Sequence, residues 1–216
     1  MHKKIMLACM AIAAFAALVV VPAASAATLT DGGSALATGT SITGKNIGNT
    51  LFTAGELTVT CSSADIPGTL TTNSGGAVAG EIAAGAPSFT GTGTSSDCTS
   101  PLGSVKPTVN SKLCLSVAKG TDAGTVDGCK NASGVVQPIT FTLNVTNIVS
   151  CKYETTGTPP QIAGTITTTP ADAAVTLVEQ PATREAGQNT LFCPESGALD
   201  MEFELTTTGG GTLTFS

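Results

Sequence analysis

Residues Ile139 to Tyr153, ITFTLNVTNIVSCKY, alternate apolar and polar side chains almost without a fault. In an extended chain Ile139, Phe141, Leu143, Val145, Val149 and Cys151 fall on one side. Thr140, Thr142, Asn144, Thr146 and Ser150 fall on the other, and Ile148 breaks the parity. A period of two over this length, rich in β-branched residues, predicts a long strand with one buried face. It also delivers Cys151 into the interior, with Tyr153 beside it as a core aromatic.

Shorter copies of this plan recur. Glu56–Cys61 (ELTVTC) turns Leu57, Val59 and Cys61 inward, and Leu199–Leu205 (LDMEFEL) sets Leu199, Met201, Phe203 and Leu205 against Asp200, Glu202 and Glu204. Asn73-Ser74-Gly75-Gly76 predicts a hairpin between Thr69–Thr72 and Val78–Ile82, because Asn and Gly accept positive φ. Lys112–Ala118 and Thr125–Cys129 predict a second hairpin, with Cys114 facing Cys129. Thr28–Thr43 reads as a turn and an edge strand, and Ser88–Thr92, Gln161–Thr168, Ala174–Glu179 and Thr212–Phe215 as further short strands. Strand signals weaken between Thr99 and Gly134, and Pro181–Asn189 reads as a polar loop carrying Arg184. Helical periodicity is absent after the leader. The fold class is therefore all-β, an antiparallel β-sandwich of Ig-like or jelly-roll-like kind.

The first 26 residues have a different character. His2, Lys3 and Lys4 precede an apolar run from Ile5 to Val21, and Ala24-Ser25-Ala26 offers a small-x-small cleavage site. This is a signal peptide spanning 1–26, followed by one domain over 27–216. The rival, an uncleaved anchor, would stand at the bottom of the spanning range in length. Losing Lys3 and Lys4 leaves seven basic against fifteen acidic residues, a net charge of −8 that argues against nucleic acid as a partner. The mature chain has no apolar segment long enough to be a transmembrane helix. Six cysteines remain, Cys61, Cys98, Cys114, Cys129, Cys151 and Cys193, an even number that reads as three disulfides with fifteen connectivities open. A strand into Cys61, then Val78–Ile82 and Cys98, is echoed by a strand into Cys151, then Ile162–Ile166 and Cys193. If this echo is a duplication, it favours Cys61–Cys98, Cys114–Cys129 and Cys151–Cys193.

The residue inventory restricts chemistry. The one histidine, His2, leaves with the leader, so histidine-based triads are excluded from the mature protein. Ser111-Lys112 belongs to no Ser–Lys motif. Asp200, Glu202 and Glu204 share a strand face and would supply carboxylates for glycoside hydrolysis, but such a row also keeps an outward face soluble. The loop from Asp122 to Gly128 is oxygen-rich, with Asp122 and Asp127 as candidate calcium ligands, yet lacks the density of a calcium hand; it reads as a hairpin loop. Asn131-Ala132-Ser133 and Asn144-Val145-Thr146 match glycosylation sequons. No cofactor is called for.

With Ala37-Thr38-Gly39-Thr40, Leu57–Cys61, Ser88-Phe89-Thr90-Gly91 ahead of Cys98, and Cys151-Lys152-Tyr153, the chain resembles a loosely defined set of bacterial exported proteins. The set includes actinobacterial secreted proteins of unknown function and alkane-oxidation-activator-like proteins. Where that set often carries a Leu-Pro-Trp turn, Lys112–Val117 stands here. The resemblance implies an extracellular or surface β protein, linked to biofilm or to use of hydrophobic substrates, with no catalytic residues to carry over. The expectation is a secreted, non-catalytic protein of the cell surface or matrix, in contact with wall or matrix components, hydrophobic material or copies of itself. The alternative is the subunit of a strand-exchanged, pilus-like polymer, using Thr212–Phe215 after Gly209–Gly211. A polysaccharide-acting enzyme ranks third.

Overall fold

The computed structural model describes residues 28–92, 97–117, 123–168, 173–188 and 191–215. Every regular element among them is a strand. In chain order these are β1 (Leu29–Asp31), β2 (Ser34–Ala35), β3 (Ser41–Asn46), β4 (Thr50–Ala54), β5 (Leu57–Cys61) and β6 (Ser63–Ser74). There follow β7 (Ala77–Ile82), β8 (Ser88–Thr90), β9 (Cys98–Ser100), β10 (Gly103–Val109), β11 (Leu113–Val117) and β12 (Ala123–Asp127). The last six are β13 (Thr140–Val145), β14 (Val149–Thr155), β15 (Ile162–Thr168), β16 (Ala173–Arg184), β17 (Ser196–Thr207) and β18 (Leu213–Phe215).

The strands pair antiparallel, and the facing sheets join at their edges into two closed rings. One runs β3, β17, β16, β15, β12, β11, β7, β6 and back to β3. The other runs β4, β17, β16, β14, β13, β10, β9, β5 and back to β4. The long strands β16 and β17 belong to both. β16 pairs with β15 at its start and β14 at its end, and β17 passes from β4 to β3. The rings are thus two tiers of one stack. A register shift between Leu177 and Gln180, with Glu179 at φ 49°, marks where β16 crosses from one tier to the other. Such a bulge bends and twists a strand locally. Hereafter the first ring is the upper tier and the second the lower.

The pairing scheme maps onto itself. Replace β3, β4, β5 and β6 by β12, β13, β14 and β15; β7 and β9 then become the two halves of β16, and β10 and β11 those of β17. Pair β3–β6 turns into β12–β15, β4–β5 into β13–β14, and β4–β17 into β13–β10. The sequence keeps a trace of this duplication in Ile66-Pro-Gly-Thr-Leu-Thr-Thr72 and Ile162-Ala-Gly-Thr-Ile-Thr-Thr168. Its glycines are fixed by close approach. A Cβ on Gly68 would stand 3.1 Å from the Glu81 carbonyl oxygen, and one on Gly164 2.5 Å from Leu177 Cδ2. The echo read from the sequence therefore needs correction in its register, since Ile162–Ile166 answers to β6 and not to Val78–Ile82.

Three other sequence expectations change. The predicted long strand Ile139–Tyr153 is a hairpin, β13 and β14, turning at Asn147 with φ 61°. Asparagine tolerates that conformation. Val145 pairs with Val149, so both arms keep odd-numbered residues inward and the period survives the turn; the out-of-phase Ile148 sits exposed in the bend. The predicted loop from Pro181 is strand as far as Arg184, carried by pairing to β17. The weak region after Thr99 contains β9 and β10, with Pro107 inside β10 opposite Leu143.

The tiers are filled differently. The upper core is mainly aliphatic, with Ile42, Leu70, Ile166, Val175, Leu177 and Leu205. The small sheet β18–β1–β2 packs on it through Leu29 and Leu213, both fully buried. Asn73 holds β1 like a strand neighbour, its Oδ1 accepting from Leu29 N–H (2.7 Å) and its Nδ2 donating to the Leu29 and Leu36 carbonyls. The lower core holds Phe52, Phe141 and Tyr153, with ring centroids 4.9–5.7 Å apart, together with four cysteines. Disulfides join Cys61 to Cys98 and Cys151 to Cys193 inside this tier, and Cys114 to Cys129 at the upper one.

Candidate functional site

The two cores meet around an internal cavity of about 150 Å³. Alternation along the strands builds it, because each inward position of a two-sided ring needs an apolar residue. Ile42, Ile162, Val175, Leu177 and Phe203 line it from the upper tier, and Phe52, Val59, Phe141 and Leu143 from the lower. Leu199 and Met201 of β17 and Phe89 of β8 stand between, with Phe89 and Leu199 packing on both cores. An apolar cavity of roughly this volume stays dry and admits a ligand the size of benzene. Glu81 is the one ionisable residue with atoms at the lining among the described residues, and its carboxylate is half-exposed and paired with Lys112 at 2.6 Å. Thr50, at the inward first position of β4, also lines the cavity, and its hydroxyl is buried without a hydrogen-bond partner. Leaving such a group unsatisfied costs about 1–3 kcal/mol.

Beside the cavity, Tyr153 is fully buried and donates from its hydroxyl to the Pro194 carbonyl at 3.2 Å. Burial pushes its phenol above the ordinary value of 10.0, against a smaller opposing pull from Arg184. Arg184 itself donates to the Cys193 carbonyl, so the polar pieces of the lower tier tie the Cys151–Cys193 loop to β14 and β16. Tyr153 is thus a core aromatic beside a disulfide.

The remaining sequence candidates are spread over the surface. Asp200, Glu202 and Glu204 alternate with buried Met201, Phe203 and Leu205 on the outer face of β17. Asp200 accepts from Glu179 N–H at 2.6 Å, and Glu204 lies opposite Lys45. Ser111 accepts from Thr140 N–H while Lys112 pairs with Glu81, so the two are not engaged with each other. Asp122 lies outside the described residues. Asp127 sits within 4.8 Å of the Cys114 and Cys129 sulfurs, with one carboxylate oxygen buried and unpartnered; both sulfurs are spent in a disulfide and offer no thiolate to a metal. Asn131 accepts from Ser133 and Val135 N–H in an exposed turn, and Asn144 is exposed on β13. Leu213 of the terminal strand is buried in the upper core, with β18 paired along β1.

The sequence reading missed Thr50 and β4 altogether. The available signal was TLFTA, residues 50–54, whose inward set Thr50, Phe52 and Ala54 obeys the period of two. A fold and a site of this kind define a disulfide-braced all-β protein with an apolar interior chamber. No family model, curated protein or solved structure matches the chain.

Proposed function

We propose that the mature chain is an exported, non-catalytic protein of the cell surface or extracellular matrix that makes contact with hydrophobic material by taking small apolar molecules into its cavity. The observation that carries this is the cavity itself, walled by aliphatic and aromatic side chains from both tiers. Most binding sites for small molecules are concave and mainly apolar with a few placed polar groups. Three disulfides fit an oxidising compartment, and no helix among the described residues is long and apolar enough to cross a membrane. The strands turn apolar residues in and polar residues out, the reverse of a membrane-spanning barrel. The surface carboxylates of β17 serve solubility and strand pairing in this reading, with the aromatic rings held inside. A strand-exchanged polymer is weaker, because releasing β18 would expose the upper core through Leu213.

The test is titration of the disulfide-intact protein, collected from medium or washed cell surface, with hexane. Saturable shifts of Leu143, Val175 and Met201 methyl resonances are expected, and no binding up to hexane saturation would overturn the reading.

A further inference from the structure

Thr50 is out of keeping with its surroundings. It is 4 % exposed, its hydroxyl has no partner, and it lines a cavity whose other walls are apolar. The repeat supplies an internal control. Thr50 pairs with Cys61 as Leu143 pairs with Cys151, and Leu143 is equally buried on the same cavity. The matching place of the repeat therefore holds a larger, wholly apolar side chain, and the pairing scheme itself asks for no hydroxyl there. Thr50 also stands at the seam of the tiers. Leu51 pairs with Asp200 at the end of the β4–β17 ladder, and two residues further along β17 the Glu202 carbonyl accepts from Ile47 N–H as that strand passes to β3.

A hydroxyl offers one donor and two acceptor sites, and a buried polar group left without a partner calls for an explanation. We propose that Thr50 is the polar anchor of the cavity, which takes a small aliphatic molecule bearing one uncharged oxygen group, an alcohol, ketone or ester, hydrogen-bonded to Thr50 Oγ1. The oxygen group is uncharged because the lining holds no cation among the described residues to offset the lost hydration of a carboxylate. The volume limits the ligand to about the size of benzene, or roughly six heavy atoms, unless the walls move apart. This inference rests on the cavity reading above and adds the chemical class.

The experiment compares 1-hexanol with hexane on the disulfide-intact protein and on Thr50→Val, Thr50→Ser and Thr50→Ala. Thr50→Val should weaken hexanol binding about three- to tenfold, the value of one hydrogen bond, and leave hexane binding unchanged. Thr50→Ser should keep the hexanol affinity. Equal loss of both ligands, or no loss of hexanol, in a folded Thr50→Val protein overturns the anchor while leaving the cavity reading intact. Should Thr50→Val not fold, Thr50→Ala must show the same selective loss, and its failure to do so overturns the proposal equally. Absence of binding by either ligand to the unsubstituted protein defeats the cavity reading itself.

Discussion

The upper and lower tiers share two strands and one pairing scheme, yet they are held together by different means. The upper tier is aliphatic, capped by the small sheet of the two chain ends, and its disulfide lies half-buried at the margin. The lower tier contains the three-ring aromatic cluster and two fully enclosed disulfides. The same frame thus occurs twice over with two different fillings. A chain with no tryptophan and 4 % aromatic residues has placed its one three-ring cluster and two of its crosslinks in one half, leaving Phe203 as the buried ring of the other. The other half is left mainly with aliphatic side chains.

The largest effect should come from the bridges. Replacing Cys151 and Cys193 together by alanine, or Cys61 and Cys98, should each cost about 4 kcal/mol, since they close loops of 42 and 37 residues. Replacing Cys114 and Cys129 should cost about 3 kcal/mol at most, for a separation of 15 residues. Urea midpoints at constant m-value would measure the order. An upper-tier loss equal to the lower-tier ones would erase the contrast between the halves.

Much of this architecture was legible in the sequence, because period-two alternation records burial directly. Leu57–Cys61 and Leu199–Leu205 carry their inward sets where the parity puts them, apart from the partly exposed Leu199 at the seam. Alternation does not record chain direction. A three-residue bend between Val145 and Val149 preserves odd parity, so the hairpin of β13 and β14 looked like one strand until Asn147 showed its positive φ. Proline misled twice in the same direction, since Pro107 and Pro181 lie within strands whose pairing overrides the local signal. The cavity was not legible at all. Its walls come from strands distant in the chain, and Thr50 gains meaning only when Leu143 is seen in the matching place.

A smaller effect separates the tiers by pH. The buried Tyr153 phenol titrates above 10.0 when folded, so the unfolded chain gives up its proton first. The stabilisation is complete below the ordinary tyrosine value and is lost as pH rises through the folded one. Tyr153→Phe should flatten this alkaline decline. The chain has one tyrosine, so tyrosinate absorbance reports this ring without interference. A titration at the ordinary value would show that water reaches the lower tier as easily as the upper.

The smallest effect is expected at the surface of the upper tier. Glu81 and Lys112 are 2.6 Å apart with side chains 42 % and 53 % exposed, a setting in which ion pairs contribute about 0–1 kcal/mol and weaken with salt. Lys112→Gln should therefore change stability by less than about 0.5 kcal/mol in moderate salt. Glu81 nevertheless borders the cavity. A larger and salt-independent loss would mean that the pair is shielded from water as thoroughly as the lower-tier bridges are. The upper tier would then be as closed as the lower, and the contrast between the halves would fail at the surface.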